Sequence, residues 1–260
     1  MQIAREIKLN NAFNCRDLGG YQTSDGLTIK RHQLIRAGYL SDLDSVDQKI
    51  LYDYGVRTVI DLRSPMEVVK YPDHLGGIAR YLRISVSRRD LTESTENLRS
   101  LASQLTDKKA GFQLMMRSYR QLVVSTEAQQ AYHRFFRSVL NATPGGILFH
   151  CSSGKDRTGL LASLILMMLD VPDETVKADY LNSNWVSALR INDHLNGAKL
   201  VSGNLAYLQS IFDLSIVREE YFEQVMSIID DHFGGVKSYW HEQLGLSEDD
   251  LIKLRKLFLE

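Results

Sequence analysis

Two cysteines, Cys15 and Cys151, are the only thiols in 260 residues. They are too few and too far apart for a disulfide framework, and a reducing compartment suits them. Net charge is also nearly absent. The 31 Lys and Arg against 32 Asp and Glu leave −1, which offers nucleic acid or an anionic membrane no global attraction. No apolar run reaches the roughly 18 residues of a membrane span, so no integral membrane segment is expected. Met1 to Leu9 alternates charged and apolar residues and lacks the hydrophobic centre of a signal peptide. A cytoplasmic location is expected, with export by a route lacking a cleaved signal left open. Internal repeats and low-complexity linkers are missing too, so residues 1–260 are expected to form one domain. What the chain does have is apolar content, 44%, enough for a large core without external staples.

Local patterns alternate between strand and helix. Asp25-Gly26 marks a hairpin turn before Leu27-Thr28-Ile29. Leu34-Ile35 reads as a short strand ending at Arg36-Ala37-Gly38. Leu43, Val46, Ile50, Leu51 and Tyr54 share helical spacing, closed by Gly55. Val56 to Leu62 is a buried strand, and Ser64-Pro65-Met66-Glu67 is a capping box with proline at the first helical position. Tyr81 to Val86 is a further strand. Helices are expected over Phe112–Val124, Thr126–Leu140, Thr158–Leu169, Asp173–Trp185, Glu219–Phe233 and Asp249–Phe258, with Gly234 and Ser247 as end signals. Strands separated by helices imply βαβ units, hence an α/β fold with a mostly parallel sheet flanked by helices. Ligands then bind beyond the carboxyl ends of the strands, where Arg36, Arg63 and Cys151 are all expected to lie. The polar stretch 87–110 breaks the pattern. Over about 87–124 it suggests either a solvated surface segment or a helical lid insertion, with Arg88 and Arg89 available to a polyanionic substrate.

The chemistry concentrates in His150-Cys151-Ser152-Ser153-Gly154-Lys155-Asp156-Arg157-Thr158-Gly159. A short apolar strand precedes it and an almost unbroken apolar helix follows. Backbone N–H groups of such a loop point inward, and the helix turns its positive end to the same spot. A phosphate fits there, contacted by Ser152, Ser153, Gly154, Lys155 and Asp156, with Arg157 able to grip two oxygens. The same field favours the thiolate of Cys151, the nucleophilic form. Other motifs fail. A nucleotide-binding loop needs a glycine where Phe149 stands and a hydroxyl where Asp156 stands. A redox pair needs a cysteine where Gly154 stands. A metal site would need more ligands than His150 and Cys151, which face opposite ways at a strand end, and the remaining histidines show no ligand spacing. Neither metal nor cofactor is expected.

This loop resembles that of the cysteine-dependent tyrosine phosphatase superfamily. Its Gly-Lys-Asp-Arg variant resembles the bacterial atypical group, whose activities cover phosphotyrosine, dual-specificity and phosphoinositide substrates. Asn14-Cys15-Arg16-Asp17-Leu18-Gly19-Gly20 is similar to that group's N-F-R-D-L-G-G, with Cys15 in place of phenylalanine. Asp61-Leu62-Arg63-Ser64 matches its D-L-R-S, and Asp179-Tyr180-Leu181-Asn182-Ser183-Asn184 its D-Y-L-x-S-N. The resemblance implies a tyrosine-phosphatase-like fold and a metal-independent reaction through phosphocysteine. Phosphorylated protein or phosphoinositide would be the substrate, and inorganic phosphate the product or inhibitor. His150 would order the loop, or be a satisfied structural histidine, and Thr158 would serve the thiolate or cap the helix. Three aspartates compete as proton donor. Asp156 is favoured by its place in the loop, Asp61 is a less certain second, and Tyr71-Pro72-Asp73 only imitates a W-P-D loop. Lys155 adds a charge useful where a substrate carries neighbouring phosphates. A phospho-binding protein without hydrolysis would usually lack the nucleophile or the arginine, and both are here.

Overall fold

The computed structural model describes residues 5–87 and 107–260. Six strands form one sheet: β1 (Arg5–Glu6), β2 (Arg16–Asp17), β3 (Leu34–Ala37), β4 (Val56–Asp61), β5 (Arg80–Arg83) and β6 (Gly146–His150), in the order β1-β2-β3-β6-β4-β5. The β3, β6, β4 and β5 neighbours run parallel, while β1 and β2 add antiparallel at one side. The fold is therefore α/β with a mostly parallel sheet, as the alternating pattern implied.

Alternation along the strands sorts side chains onto two faces. Leu34, Ile60, Ile147 and Phe149 enter the larger core, whereas Ile35, Val59 and Leu148 enter a smaller one on the opposite side. Helix α1 (Ser45–Asp53), capped by Asp44, and α2 (Pro65–Lys70), with its Ser64–Glu67 capping box, follow β3 and β4. The larger core is built from α3 (Ala110–Val124), α4 (Thr126–Leu140), α5 (Arg157–Met168), α6 (Asp173–Val186), α8 (Leu205–Ser215), α9 (Glu219–Phe233) and α10 (Glu248–Phe258). Between α6 and α8 runs α7 (Ala188–Val201), of which only Ala198 is buried. Helix α5 is buried on every side except at Met167, which is why its sequence shows no polar face. Phe135 on α4 meets Phe149 of β6 edge-on, ring centres 5.3 Å apart, so the central strand is pinned from above.

Two expectations shift. The strand expected over Tyr81–Val86 is Arg80–Arg83, an edge strand with Arg80 and Arg83 exposed. Within the stretch proposed as a lid, residues 88–106 lie outside the described residues, including Arg88 and Arg89. From Ala110 onward it is core: Met115, Tyr119, Leu122 and Val123 of α3 are buried against neighbouring helices. Helix α3 docks so closely that a Cβ at Gly111 would lie 2.5 Å from the Ser210 backbone.

The register fixes where chemistry can occur. Ala37, His150 and Asp61 lie side by side in β3, β6 and β4. The three strands thus end at one level, and the loops leaving them meet at one edge of the sheet.

Candidate active site

Cys151 follows β6 directly and is 1% exposed. Ser153, Gly154, Lys155, Asp156 and Arg157 after it are also buried, and α5 starts at Arg157. The backbone N–H groups of Ser152 to Asp156 donate to no acceptor among the described residues, and Asp156 makes no side-chain cap for α5. Unpaired amides in a loop at a helix N-terminus suit an oxyanion. Gly154 makes the loop possible. Its φ is +71°, and a Cβ there would stand 2.3 Å from the Ala37 carbonyl oxygen.

Arg157 closes the loop in a fixed plane. Its two terminal nitrogens donate to Glu67 Oε2 and Oε1 at 2.8 and 2.7 Å, and Ser152 Oγ donates to the same carboxylate. Glu67 is reached because Pro65 and the Ser64 capping box start α2 so that its third residue faces the loop. Burial alone would raise the Glu67 carboxyl, but Arg157 and the hydrogen bonds overcome this and bring it to about 2. A guanidinium gripped along one edge still has a defined plane with which to meet phosphate oxygens.

Behind the loop lies a buried ionic knot. Asp179 of α6 receives Arg16 Nε at 2.9 Å and Arg36 at 2.6 Å. Arg36 also donates to the Gly154 carbonyl at 2.7 Å, and Asn14 Nδ2 to the Ser153 carbonyl at 2.9 Å. Arg16 in turn donates to Asn14 Oδ1 and to Ser183 Oγ. The polar residues here come from the N-terminal motif and the adjoining Tyr21, which donates to Asp179 at 3.2 Å, from β3 and from Asp179–Ser183, so these segments meet to hold the loop's outer carbonyls. Burial opposes ionisation of Asp179, yet Arg16 and Arg36 hold its carboxyl below the usual range. Burial and the neighbouring Arg16 lower Arg36 to about 10.

A second knot braces the strand end. Asp61 binds Arg63 Nε and an Arg63 terminal nitrogen at 2.9 and 2.7 Å and accepts from Tyr81 at 2.7 Å. Arg63 reaches on to Asp73 at 2.8 Å, and His150 Nε2 lies 3.0 Å from the other Asp73 oxygen. Burial works against a charged His150, but Asp73 and Asp61 prevail and its pKa is raised. Burial likewise opposes the Asp61 anion, and His150 with Arg63 keeps its carboxyl well below the ordinary range. Ligand atoms of Asp61, Asp73 and His150 fall within 4.8 Å of one another. Arg63 spans both carboxylates and already supplies the charge that a cation would bring.

The three aspartates are therefore differently placed. Asp61 and Asp73 have oxygens committed to Arg63, and Asp73 also accepts from the Leu40 backbone. Asp156 sits in the loop, with Oδ1 accepting from Tyr119 at 2.7 Å and Oδ2 from Lys155 at 2.6 Å. Tyr180 donates to Tyr119 in turn at 2.7 Å. Thr158 Oγ1 is fully buried and finds no partner among the described residues. Arg36 and Arg63 lie at the strand ends as expected, but both hold protein groups behind the loop. Sequence reasoning missed Glu67 and Tyr119 as parts of the site. Glu67 was visible only as a helix-capping residue, and Tyr119 only as one apolar position of an amphipathic helix.

Fold and site together define an α/β domain with a thiol at the floor of an amide loop closed by arginine. The sequence profile of the tyrosine phosphatase family matches residues 7–260, and the chain belongs to that family. A Cupriavidus necator protein provisionally named as a tyrosine-protein phosphatase is 28% identical over 263 residues, covering 100% of this chain and 90% of its own length. The triple specificity protein phosphatase PtpB of Mycobacterium tuberculosis is 27% identical over 281 residues, 97% of this chain and 98% of that protein. A tyrosine-protein phosphatase of Nostoc commune is 29% identical over 162 residues, 62% of this chain and 50% of its own.

Proposed function

We propose that this protein is a metal-independent phosphatase that hydrolyses phosphotyrosine, and also phosphoserine, phosphothreonine and phosphoinositides, through a phosphocysteine intermediate. The observation that carries this is Cys151 at the start of a loop whose amides find no acceptor among the described residues, with Arg157 fixed by Glu67 at the loop's end. The relatives' names, tyrosine-protein phosphatase and triple specificity protein phosphatase, support activity on phosphotyrosine and a specificity wider than that.

The Cys151 thiolate attacks phosphorus in line, the S–P bond forms, and the bond to the alcohol or phenol oxygen breaks. Arg157 and the amides hold the three non-bridging oxygens while charge shifts. Asp156 delivers a proton to the departing oxygen. In the second step it takes a proton from water, which attacks phosphorus and returns the thiolate and inorganic phosphate. Lys155 covers one Asp156 oxygen at rest. A phosphate in the cradle offers its ammonium a better charged partner, which would uncover that oxygen for proton transfer. Thr158, the second residue of α5, has an uncommitted buried hydroxyl, and a hydrogen bond from it to the sulfur as the thiolate leaves is part of this reading.

Hydrolysis of an aryl phosphate in the presence of a chelator tests the reading. Wild type should be active, Cys151→Ser inactive, and rapid quench should trap phosphorus on Cys151; activity surviving in Cys151→Ser would refute it. The acid is assigned by the pH–rate profiles of Asp156→Asn, Asp61→Asn and Asp73→Asn. Asp156→Asn is expected to lose about 10²–10⁴ in rate with poor leaving groups and to flatten the limb set by the acid. The other two should keep that limb, since their oxygens serve Arg63.

A phosphoinositide preference is the second reading, favoured by the loop cation Lys155. Lys155→Ala should slow inositide turnover more than phosphotyrosine turnover, and equal losses would remove the preference.

A further inference from the structure

The buried arginines 16, 36, 63 and 157 each face a carboxylate at 2.9 Å or less. Arg190 on α7 does not. Its guanidinium lies 4.0 Å from the ring centre of Phe13 and 5.0 Å from that of Tyr39, and it donates to Tyr39 Oη at 3.4 Å. Its Nε is buried without a hydrogen-bond partner. Asp42 beside Tyr39 and Asp193 beside His194 are the acidic groups on the adjoining elements, and neither forms an ion pair with it. A cation seated on aromatic faces is held in place without being neutralised.

That seat is attached to the catalytic loop. Tyr39 N–H donates to the Ser152 carbonyl at 3.0 Å, and Gly38 N–H to the Phe13 carbonyl at 2.9 Å. Phe13 and Tyr39 pack edge to face at 5.3 Å, and Tyr71 stacks on Tyr39 at 6.1 Å. Gly38 has no room for a side chain, because a Cβ would meet the Phe13 ring at 2.5 Å. One turn along α7, His194 senses both Arg190 and the loop's Lys155; burial first, then those two cations, lowers it to about 4. Arg190 thus reaches, through Tyr39 and its bond to the Ser152 carbonyl, the loop that carries Lys155. Glu67 answers the charge of Arg157 and Asp156 that of Lys155, whereas Arg190 has no anionic partner among the described residues.

We infer that Arg190, seated on Phe13 and Tyr39, binds a second phosphate of the substrate beside the one that is cleaved. The matching substrate class is an inositol headgroup carrying at least two phosphates, free or borne on a lipid. This rests on the phosphatase reading above and narrows it. A ring fixes the separation of its phosphates, which suits an arginine that is itself held in place. A doubly phosphorylated peptide would have to freeze two flexible side chains to do the same.

The test compares kcat/KM on a soluble inositol bisphosphate, the related monophosphate, a short-chain lipid with the same bisphosphate headgroup, and a doubly phosphorylated peptide. In Arg190→Gln the ratio of bisphosphate to monophosphate kcat/KM should fall about tenfold, chiefly through KM, the size of one lost charged hydrogen bond. Arg190→Lys should recover part of it. A fall on both soluble and lipid-borne headgroups, or on one where the other is not turned over, supports the inference and identifies the source. An unchanged ratio, or a fall seen only with the peptide, overturns it. Should Arg190→Gln fold poorly, calorimetric titration of the bisphosphate into Cys151→Ser, with and without Arg190→Lys, gives the same decision. If wild type fails to hydrolyse p-nitrophenyl phosphate, the phosphatase reading itself has failed. If it hydrolyses that ester and the ratio does not move, only the role of Arg190 falls.

Discussion

Glu67 serves two elements with one carboxylate: it completes the cap of α2 through Ser64 and holds Arg157 of α5 in its plane. Glu67→Gln keeps the shape but replaces two charged acceptors with one neutral one, so the guanidinium is oriented less firmly toward a phosphate. The expected cost is on the order of 10² in kcat/KM, measured on an aryl phosphate. The same residue sets an acid sensitivity. Its carboxyl is near 4.5 in an unfolded chain and about 2 when folded. Its stabilisation is therefore complete above about pH 4.5 and is lost as pH falls toward 2. Acid unfolding followed by circular dichroism should show Glu67→Gln less pH-dependent across that window. At this scale the sequence was informative wherever a residue's neighbours along the chain define its job. The placing of Cys151 after β6 and of Arg157 at the start of α5 is of that kind. Glu67 is not, because its partner lies 90 residues away, and nothing in a capping box announces a distant arginine. Arg36 and Arg63 were correctly drawn to the strand ends by pattern. Pattern could not say which way their side chains face, and both turned to the protein.

Among the elements, the loop between β6 and α5 depends most on a single backbone conformation. Gly154→Ala must carry a side chain at φ +71° and push it into the Ala37 carbonyl. A left-handed residue alone costs about 1–2 kcal/mol, before the clash. Melting temperature should drop by at least roughly 5 °C and kcat/KM by more than tenfold in scanning calorimetry and steady-state assays. A variant with wild-type values would mean that the loop is looser than described. Strands β3, β4 and β6 and helix α5 were legible because their burial is written as alternation or as an unbroken apolar run. Helices α7 and α8 were not foreseen. Helix α7 fully buries only Ala198, and its apolar spacing through Ile191, Leu195 and Ala198 is blurred by the exposed Leu189 and Leu200. Helix α3 illustrates the opposite failure: a polar stretch before it suggested an inserted lid, while its own buried face belongs to the main core.

For the molecule as a whole, an oxyanion that enters the amide loop binds only the folded chain and must stabilise it. Vanadate at about 100 times its Kd should add roughly 2.7 kcal/mol, a rise of about 5–10 °C for a chain of this size. Arg157→Ala should abolish most of the rise, and a melting temperature indifferent to vanadate would argue against the cradle. No helix among the described residues is long and apolar enough to cross a membrane.

The salt-bridged knot under the loop joins Arg16, Arg36 and Asp179, positions up to 163 apart in the chain. A ribosome emits Cys151 and Arg157 well before Asp179 clears the exit tunnel. The loop that carries Cys151 is thus made before the carboxylate that holds its outer carbonyls in place. Fragments ending short of Asp179 should leave both buried arginines without that carboxylate and fail to turn over an aryl phosphate.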